Sequence, residues 1–347
     1  MVTIISNDWH IKPSNVDEII DLTKQKIQLA KKHSIKKVFI LGDIFQSRQS
    51  QPLSVLKCFE QVLDLFDKGN VEVIVTPGNH DKTNYESYHS FLDSFSWHPA
   101  LLLMNGHDSI QIDDINFICI PFFSNDIWLK ELEESRKLIN NQIKYNILLS
   151  HIAFNGSVNN DGSKVENKIK PELVKDFDAV FLGHYHNYHK VSKEIYHLPC
   201  LQQNNFGEDS NKGFTLIKED GSFEIVKSKF KEFLTVEVDA NTLTKKEISK
   251  MIKSTDPKEN YVRIKVKGSE DKVKSLKLDE FKVLGYDIKT EHEDILTSIK
   301  EVELGKIIEF NESLIIEEFK MFCQEEGFDE KSSQEGMFYI KKSLKDE

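Results

Sequence analysis

Six short apolar runs, separated by helical patterns, constrain the fold of this chain more than any other feature of its sequence. The runs are near-continuous rather than alternating, which is typical of strands buried on both faces of a sheet. They occupy residues 2–6, 38–41, 71–76, 117–121, 146–150 and 179–182. Apolar residues recur at helical spacing after Ser14 and again after Pro52. The pattern predicts an α/β fold in which strands alternate with helices.

A change of pattern near residue 230 indicates a second domain. The chain has 347 residues, more than one ordinary domain of about 100 to 200 residues needs. Strand-like segments at 234–238, 261–266 and 282–288, with helical segments at 245–252 and 271–276, predict a small α+β domain. From about residue 301 the chain is acidic and has one amphipathic helix candidate, 312–324. We expect domains at 1–230, 231–300 and 301–347, the last a helical segment.

Potential metal ligands follow almost every predicted strand of the first domain. The carboxyl ends of parallel strands meet at one edge of a sheet, where open α/β proteins bind their ligands. The polar residues at these strand ends are Asp8, His10, Asp43, Asn79, His80, Asp81, His151, His184 and His186. Imidazole and carboxylate together suit two divalent ions such as Mn, Fe or Zn, and one carboxylate can bridge the pair. Asp43 is the natural bridge. A lone Asp-x-His, Gly-Asp or His is more often a turn or a cap, whereas Gly-Asn-His-Asp and Gly-His-x-His are rarer. All five in sequence, each after a strand, predict a site.

Charge and cysteine content restrict the setting of such a site. The formal net charge of -11 argues against a protein that holds nucleic acid by overall basic attraction, so a phosphate substrate needs metals, local cations or a partner. Cys58, Cys119, Cys200 and Cys323 are scattered, as expected for reduced thiols. No run reaches the roughly 20 apolar residues of a membrane span, and no secretory signal precedes the first strand. We therefore expect a cytoplasmic protein.

The motifs resemble those of the calcineurin-like metallophosphoesterase superfamily. They read here Asp8-Trp9-His10, Gly42-Asp43, Gly78-Asn79-His80-Asp81, His151, and Gly183-His184-Tyr185-His186. The resemblance implies a β-sandwich flanked by helices and two divalent ions. By the same resemblance, one ion takes Asp8, His10, Asp43 and His186, and the other takes Asp43, Asn79, His151 and His184. His80 is then left for catalysis, stabilising the transition state or protonating the leaving oxygen, with Asp81 orienting its ring.

Features outside the five motifs resemble the SbcD family of DNA repair nucleases. They include Arg48 and Pro52 after the second motif and the segments 205–208 and 211–214. The Asp-Trp-His form of the first motif resembles the phage-encoded branch, whereas Gln46 departs from the Asp usual at the end of the second motif. The resemblance implies an exonuclease and endonuclease for recombination and repair, manganese with magnesium as the alternative, and an α+β capping domain that admits DNA. It also implies a homodimer bound to an SbcC-type ABC ATPase with coiled coils, in the host cytoplasm if phage-encoded.

Several interpretations stay open from the sequence. The same metals could serve a phosphodiesterase or phosphatase acting on small nucleotides or phosphoproteins. A scaffold with a degenerate metal site is disfavoured by the intact ligands of all five motifs. The helix candidate in segment 301–347 either docks on the ATPase or packs on its own domain. The helices after Ser14 and Pro52 either form the dimer surface or serve the core alone.

Overall fold

A computed structural model describes residues 1–159, 162–292, 319, 336 and 337. In chain order, the elements up to Lys227 are β1 (Thr3–Ser6), α1 (Val16–Lys32), β2 (Lys37–Leu41), α2 (Leu53–Lys68), β3 (Glu72–Thr76), β4 (Leu101–Leu103), β5 (Asp108–Ile112), β6 (Ile115–Ile120), α3 (Asn125–Ser135), β7 (Tyr145–Ser150), β8 (Ala179–Leu182), β9 (His189–Ser192), β10 (Ile195–His197), β11 (Gly213–Ile217) and β12 (Phe223–Lys227). Short 3-10 turns span Phe91–Phe95, Arg136–Leu138 and Pro171–Val174.

These strands form two six-stranded sheets. The first has the order β12-β11-β1-β2-β3-β4, and the second has the order β5-β6-β7-β8-β10-β9. Strands β1, β2 and β3 are parallel to one another, and so are β6, β7 and β8. Their carboxyl ends therefore lie at common sheet edges, as the sequence predicts.

Each sheet is covered on both faces, which explains the continuous apolar runs. The facing sides of the two sheets share a core that includes Ile5, Phe39 and Phe117. On the outer face of the first sheet, α1 and α2 pack through residues such as Phe59, and on the outer face of the second sheet α3 packs through Trp128. The predicted α/β class, a β-sandwich flanked by helices, is confirmed. The six predicted strands correspond to β1, β2, β3, β6, β7 and β8.

A smaller α+β arrangement follows residue 230. Its elements are β13 (Phe233–Asp239), α4 (Lys245–Lys253), β14 (Tyr261–Gly268), α5 (Glu270–Lys274), α6 (Asp279–Val283) and β15 (Asp287–His292). The three strands form one sheet in the order β13-β14-β15. The strand predicted at 282–288 is wrong in its first half, because Phe281 is buried on α6 and the chain turns at Gly285, whose φ is +96°, before β15 begins.

Two compact units divide the chain differently from the predicted domains. One comprises residues 1–267 and 271–291, and the other comprises residues 268–270 and 292–347. The predicted boundary at 230 falls inside the first unit and stays a prediction. Apart from residues 319, 336 and 337, the predicted segment 301–347 with its helix at 312–324 lies outside the described residues. Among the helices that the structure describes, none has the length and apolar character to cross a membrane.

Candidate metal centre

Loops at the carboxyl ends of five strands bring the predicted ligands together. Asp8 and His10 follow β1, Asp43 follows β2, and Asn79 follows β3. His151 follows β7 directly, and the loop after β8 carries His184 and His186. The two sheets meet here, since Nδ1 of His151 donates a hydrogen bond of 2.7 Å to the carbonyl of Leu41 at the end of β2.

Four of these ligands have left-handed backbone conformations. The φ values of Asp8, His10, Asp43 and His184 are +51°, +46°, +52° and +87°. Such values cost free energy for residues with a Cβ and concentrate at functional sites. Hydrogen bonds between neighbouring loops hold them, because the amide of Asp8 donates to Gly42 O at 3.1 Å and that of His10 to Asp43 O at 2.9 Å. The strain is thus distributed over interlocked loops.

The first ligand group consists of Asp8, His10, Asp43 and His186. The Nε2 atoms of His10 and His186 are 3.0 Å apart. Asp8 Oδ1 lies 3.7 Å from Nε2 of His186 and 3.9 Å from Nε2 of His10. Asp43 Oδ2 lies 3.7 Å from Nε2 of His10. Four potential donor atoms therefore surround one point.

The second ligand group consists of Asp43, Asn79, His151 and His184. Asn79 Oδ1 lies 3.2 Å from Nε2 of His151 and 3.0 Å from Nδ1 of His184. Asp43 Oδ2, which also faces the first ligand group, lies 3.4 Å from Nε2 of His151. Asp43 is thus positioned to be shared by the two groups.

The spacing of these atoms fits a pair of metal ions. Ligands about 2.1 Å from a shared ion lie about 3.0 to 3.4 Å apart in octahedral or tetrahedral geometry, close to the separations found. Asp8 Oδ1 is buried and has no hydrogen-bond partner among the described residues, which is costly unless a cation accompanies it. Since Nδ1 of His151 donates to Leu41, its Nε2 is the nitrogen that faces the second ligand group. Groups of His and Asp in this region can hold metal ions.

Burial and charge set the protonation of the ligands. Burial lowers the pKa of His184 to about 3 and holds the pKa of His10 well below its ordinary value, so both imidazoles keep a free lone pair. Burial also acts to lower the pKa of His151, but the carboxylates of Asp43 and Asp8 overcome it and raise this pKa to about 9. In the metal-free protein, protonated His151 therefore accompanies the buried carboxylates, and a metal ion must displace that proton.

His80 lies beside the two groups without belonging to either. Its Nδ1 donates to the backbone carbonyl of Gln46 at 2.6 Å, and its Nε2 accepts from Nη2 of Arg48 at 2.8 Å. Nε2 is 4.0 Å from Oδ2 of Asp43. The ring thus faces the shared carboxylate and the open side of the site. The Gln46 contact could not be predicted, because a contact through a backbone carbonyl does not depend on residue type.

The carboxylate of Asp81 contacts the backbone of two loops, whereas the prediction placed it against the ring of His80. Its carboxylate accepts the backbone amides of Phe45 at 3.1 Å and Gly78 at 2.8 Å, and it is fully buried. Burial and the neighbouring Asp43 raise its pKa to about 7. The ring of His80 is oriented by Gln46 and Arg48 instead. Asp81 ties the loop after β2 to the loop after β3, and its catalytic role stays a prediction.

Two residues without a predicted role support the ligands. Nδ2 of Asn7 hydrogen-bonds Oδ2 of Asp8 and also donates to Leu198 O at 3.3 Å. Oε1 of Glu208 lies 2.7 Å from Nδ1 of His186. In the sequence, Glu208 stands out only because the segment 205–208 resembles the SbcD family. Its contact with His186 forms through tertiary structure and could not be predicted from the sequence.

An open cavity of about 620 Å³ lies over the centre. Its walls include Lys12, Arg48, Asn159, Asn204 and Asn205, together with the exposed sides of several ligands. Polar and cationic side chains thus surround the potential ions. Such a lining suits a phosphate-containing substrate better than an apolar one.

Known proteins share sequence or structural similarity with this chain. The family model described as calcineurin-like phosphoesterase matches residues 1–188. Exonuclease subunit 1 of Enterobacteria phage T4 is 23% identical over 199 residues, covering 54% of this chain and 56% of that relative. This chain thus aligns with little more than half the length of that relative. A solved dimetal phosphatase from Danio rerio is 12% identical, with a TM-score of 0.41, over 58% of this chain and 87% of that one.

Proposed function

This chain belongs to the calcineurin-like phosphoesterase family, and from that premise we propose that it is a two-metal-dependent DNA nuclease. The observation that carries the proposal is the convergence of seven potential ligands on two adjacent points, with the Asp43 carboxylate between them and His80 Nε2 4.0 Å from it. Binuclear sites of this kind hydrolyse phosphate esters. A phosphodiester substrate is the class that we favour.

We assign the residues of the proposed site as follows. Asp8, His10, Asp43 and His186 hold one ion, and Asp43, Asn79, His151 and His184 hold the other, with manganese as the preferred metal and magnesium as the alternative. When bound, the ions activate water and neutralise charge on the phosphoryl oxygens. His80 faces the reacting group and would either stabilise the transition state or, when its ring carries a proton on both nitrogens, give the Nε2 proton to the leaving sugar oxygen. Arg48, now bonded to that nitrogen, would turn to a substrate phosphate.

Local charge supports a polyanionic substrate despite the net charge of -11. Two divalent ions bring four positive charges, against two negative charges from Asp8 and Asp43. Lys12 and Arg48 in the cavity wall add two more positive charges. The cavity would therefore attract phosphate although the protein as a whole is acidic. The similarity to a phage exonuclease subunit favours a nucleic acid over small phosphate esters, and DNA is the nucleic acid that we propose.

We further propose that the chain acts in a complex of the SbcC/SbcD kind, in recombination and repair in the cytoplasm. It would form a homodimer, bind an ABC ATPase with coiled coils through segment 301–347, and use segment 231–300 as a capping domain that admits DNA. The relative from phage T4 is named as a subunit, which fits an assembly. The inner faces of α1 and α2 are buried in the core, so a dimer would use their remaining faces.

The test is nuclease activity of the purified chain on linear duplex and single-stranded DNA, with manganese, magnesium or chelator, beside a small phosphodiester reporter. Manganese-dependent cleavage of DNA supports the proposal. Hydrolysis of the reporter alone would assign the chain to small nucleotides or phosphoproteins instead. No hydrolysis of either substrate, even with the ATPase partner, would favour a scaffold with a degenerate site.

A variant separates catalysis from metal binding. His80→Gln removes the imidazole but leaves both ligand groups intact. We expect cleavage to fall about 100-fold or more, as for loss of a general acid, with unchanged metal stoichiometry in calorimetry. Unchanged cleavage would remove His80 from the catalytic assignment.

A further inference from the structure

The carboxylate of Glu208 fixes the orientation of one potential metal ligand. Its side chain is fully buried, and Oε1 accepts a hydrogen bond of 2.7 Å from Nδ1 of His186. With the proton held on Nδ1, the lone pair of Nε2 faces His10 and Asp8 in the first ligand group. Carboxylates that hold a metal-binding histidine in this way raise its basicity and fix its tautomer.

Glu208 is itself held by several donors. Oε1 accepts from Nδ2 of Asn205 at 2.8 Å, and Oε2 accepts from the amide of Asn204 at 3.1 Å. Nζ of Lys212, a fully buried lysine, lies 3.4 Å from Oε2. Lys212 also donates to the backbone carbonyl of His186 at 2.8 Å. Glu208, Lys212 and His186 therefore form one buried charged network.

The segment 203–208 reaches the three-stranded sheet at two points. Gln203 donates through Nε2 to the carbonyl of Glu208 at 2.8 Å and accepts through Oε1 from the amide of Phe233, the first residue of β13, at 2.9 Å. The ring of Phe206 packs edge-on against Phe233 with centroids 4.9 Å apart. The guanidinium of Arg263, on β14, lies 3.9 Å from the centroid of the Phe206 ring.

We propose that Glu208 is a positioning residue for His186, and that Gln203 and Phe206 connect it to the three-stranded sheet, so that this sheet controls metal affinity at the first ligand group. A shift of β13 or β14 would move Phe206 and Gln203. Because Gln203 donates to the backbone carbonyl of Glu208, this movement would displace Glu208 and rotate the imidazole of His186 that its side chain holds. The inference rests on the metal centre of the proposed function but not on DNA as its substrate.

The first test replaces Glu208→Gln, which keeps an acceptor of similar shape but removes the charge. Calorimetric titration with Mn²⁺ should show about tenfold weaker binding of one ion, with the other ion nearly unaffected. NMR of ¹⁵N-histidine-labelled protein should show the Nδ1-protonated tautomer of His186 less exclusively populated, because a neutral amide accepts that proton more weakly than a carboxylate. A merely structural role would leave that tautomer unchanged and would overturn the assignment.

The second test disturbs the sheet side of the connection, at residues that are not themselves potential ligands. Arg263→Ala removes the cation over Phe206, and Phe206→Ala removes the ring. We expect about threefold weaker Mn²⁺ binding at one site, in line with the strength of a partly exposed cation–π contact. Lys265→Ala is the matched control, because Lys265 lies two residues along β14 and pairs with Glu237 and Glu291 instead.

The outcomes separate this inference from the proposed function. If the unaltered protein binds two Mn²⁺ ions and Arg263→Ala and Phe206→Ala bind them equally well, the connection to the sheet is refuted while the metal centre stands. If the unaltered protein binds no Mn²⁺, the proposed function fails and this inference fails with it. Weaker binding in both variants, with Lys265→Ala unchanged, supports the inference.

Discussion

Gly78→Ala should disable both ligand groups through a single methyl group. A Cβ at position 78 would lie 2.2 Å from Oδ1 of Asp43 and 2.4 Å from its backbone nitrogen. Ordinary contact begins at 3.4 Å, so the distance to Oδ1 must grow by 1.2 Å. Neither atom can move freely, because Oδ1 accepts the amide of His80 at 2.8 Å and Asp43 has a left-handed backbone with φ +52°. The methyl group therefore displaces the carboxylate that both groups share.

The magnitude follows from that displacement. A misplacement of about 1 Å in a catalytic group costs about 100-fold in rate, and we expect that loss in kcat/KM on the small phosphodiester reporter as well as on DNA. Mn²⁺ titration should show weaker binding at both sites, since Asp43 Oδ2 faces both. Overpacking should also lower the free energy of unfolding by about 1 to 3 kcal/mol, measured by urea denaturation.

Gly106→Ala is the control for Gly78→Ala. A Cβ at Gly106 meets two ring carbons of Tyr88, at 3.3 and 3.4 Å, and Oε2 of Glu131 at 3.6 Å, and these side chains can accommodate it. This variant should retain metal stoichiometry and activity. The reasoning is refuted if Gly78→Ala binds two Mn²⁺ ions with unchanged affinity and turns over the reporter at the normal rate.

Three further predictions follow from the site. Asp81→Asn places an amide nitrogen against one of the two backbone N–H groups that now donate to the carboxylate. The free energy of unfolding, measured in urea, should therefore fall by about 1 to 3 kcal/mol. Unchanged stability with abolished catalysis would instead support a catalytic role for Asp81. Because the pKa of His151 is raised to about 9, its proton competes with the metal ion. The affinity for Mn²⁺ should therefore fall about tenfold per pH unit as pH decreases from about 8 to about 6. An affinity that does not change with pH in calorimetric titrations would contradict this. Arg48→Ala should lower kcat/KM on DNA about tenfold through loss of a charge-assisted phosphate contact while Mn²⁺ binding stays unchanged, and an equal loss of metal affinity would show that Arg48 supports the metal centre instead.

The strands and the potential ligands were predictable for a shared physical reason. Strands covered on both faces need apolar side chains at every position, so β2 and β3 read as continuous apolar runs. Where each strand leaves the core, the first side chains at the sheet edge are free to be polar. His151 and Asp43 therefore stand out against the apolar residues before them.

The supporting contacts could not be predicted, because they depend on backbone atoms or on distant parts of the chain. Glu208 contacts His186 across 22 residues, and no local pattern separates it from a surface glutamate. Lys26 is a second case, since a lysine in α1 is expected at the surface. Its Nζ instead lies buried and donates to Ser6 Oγ and Phe39 O, both at 2.8 Å. Periodicity shows which face of a helix is inward but not which polar residue that face will contain.

The proposed support of the metal centre and the cavity wall that a substrate would contact share one segment. In the proposed site, the potential ligands and His80 act on the phosphate group alone, so the choice between DNA and a small ester would depend on the cavity wall. That wall includes Asn204 and Asn205, and the same two residues donate to the carboxylate of Glu208. A substrate that pulls either asparagine out of place also weakens the hold of Glu208 on His186. Binding of a substrate against Asn204 or Asn205 should therefore change the affinity for the ion at the first ligand group. If the cavity wall and the ligands were independent, that affinity would stay the same.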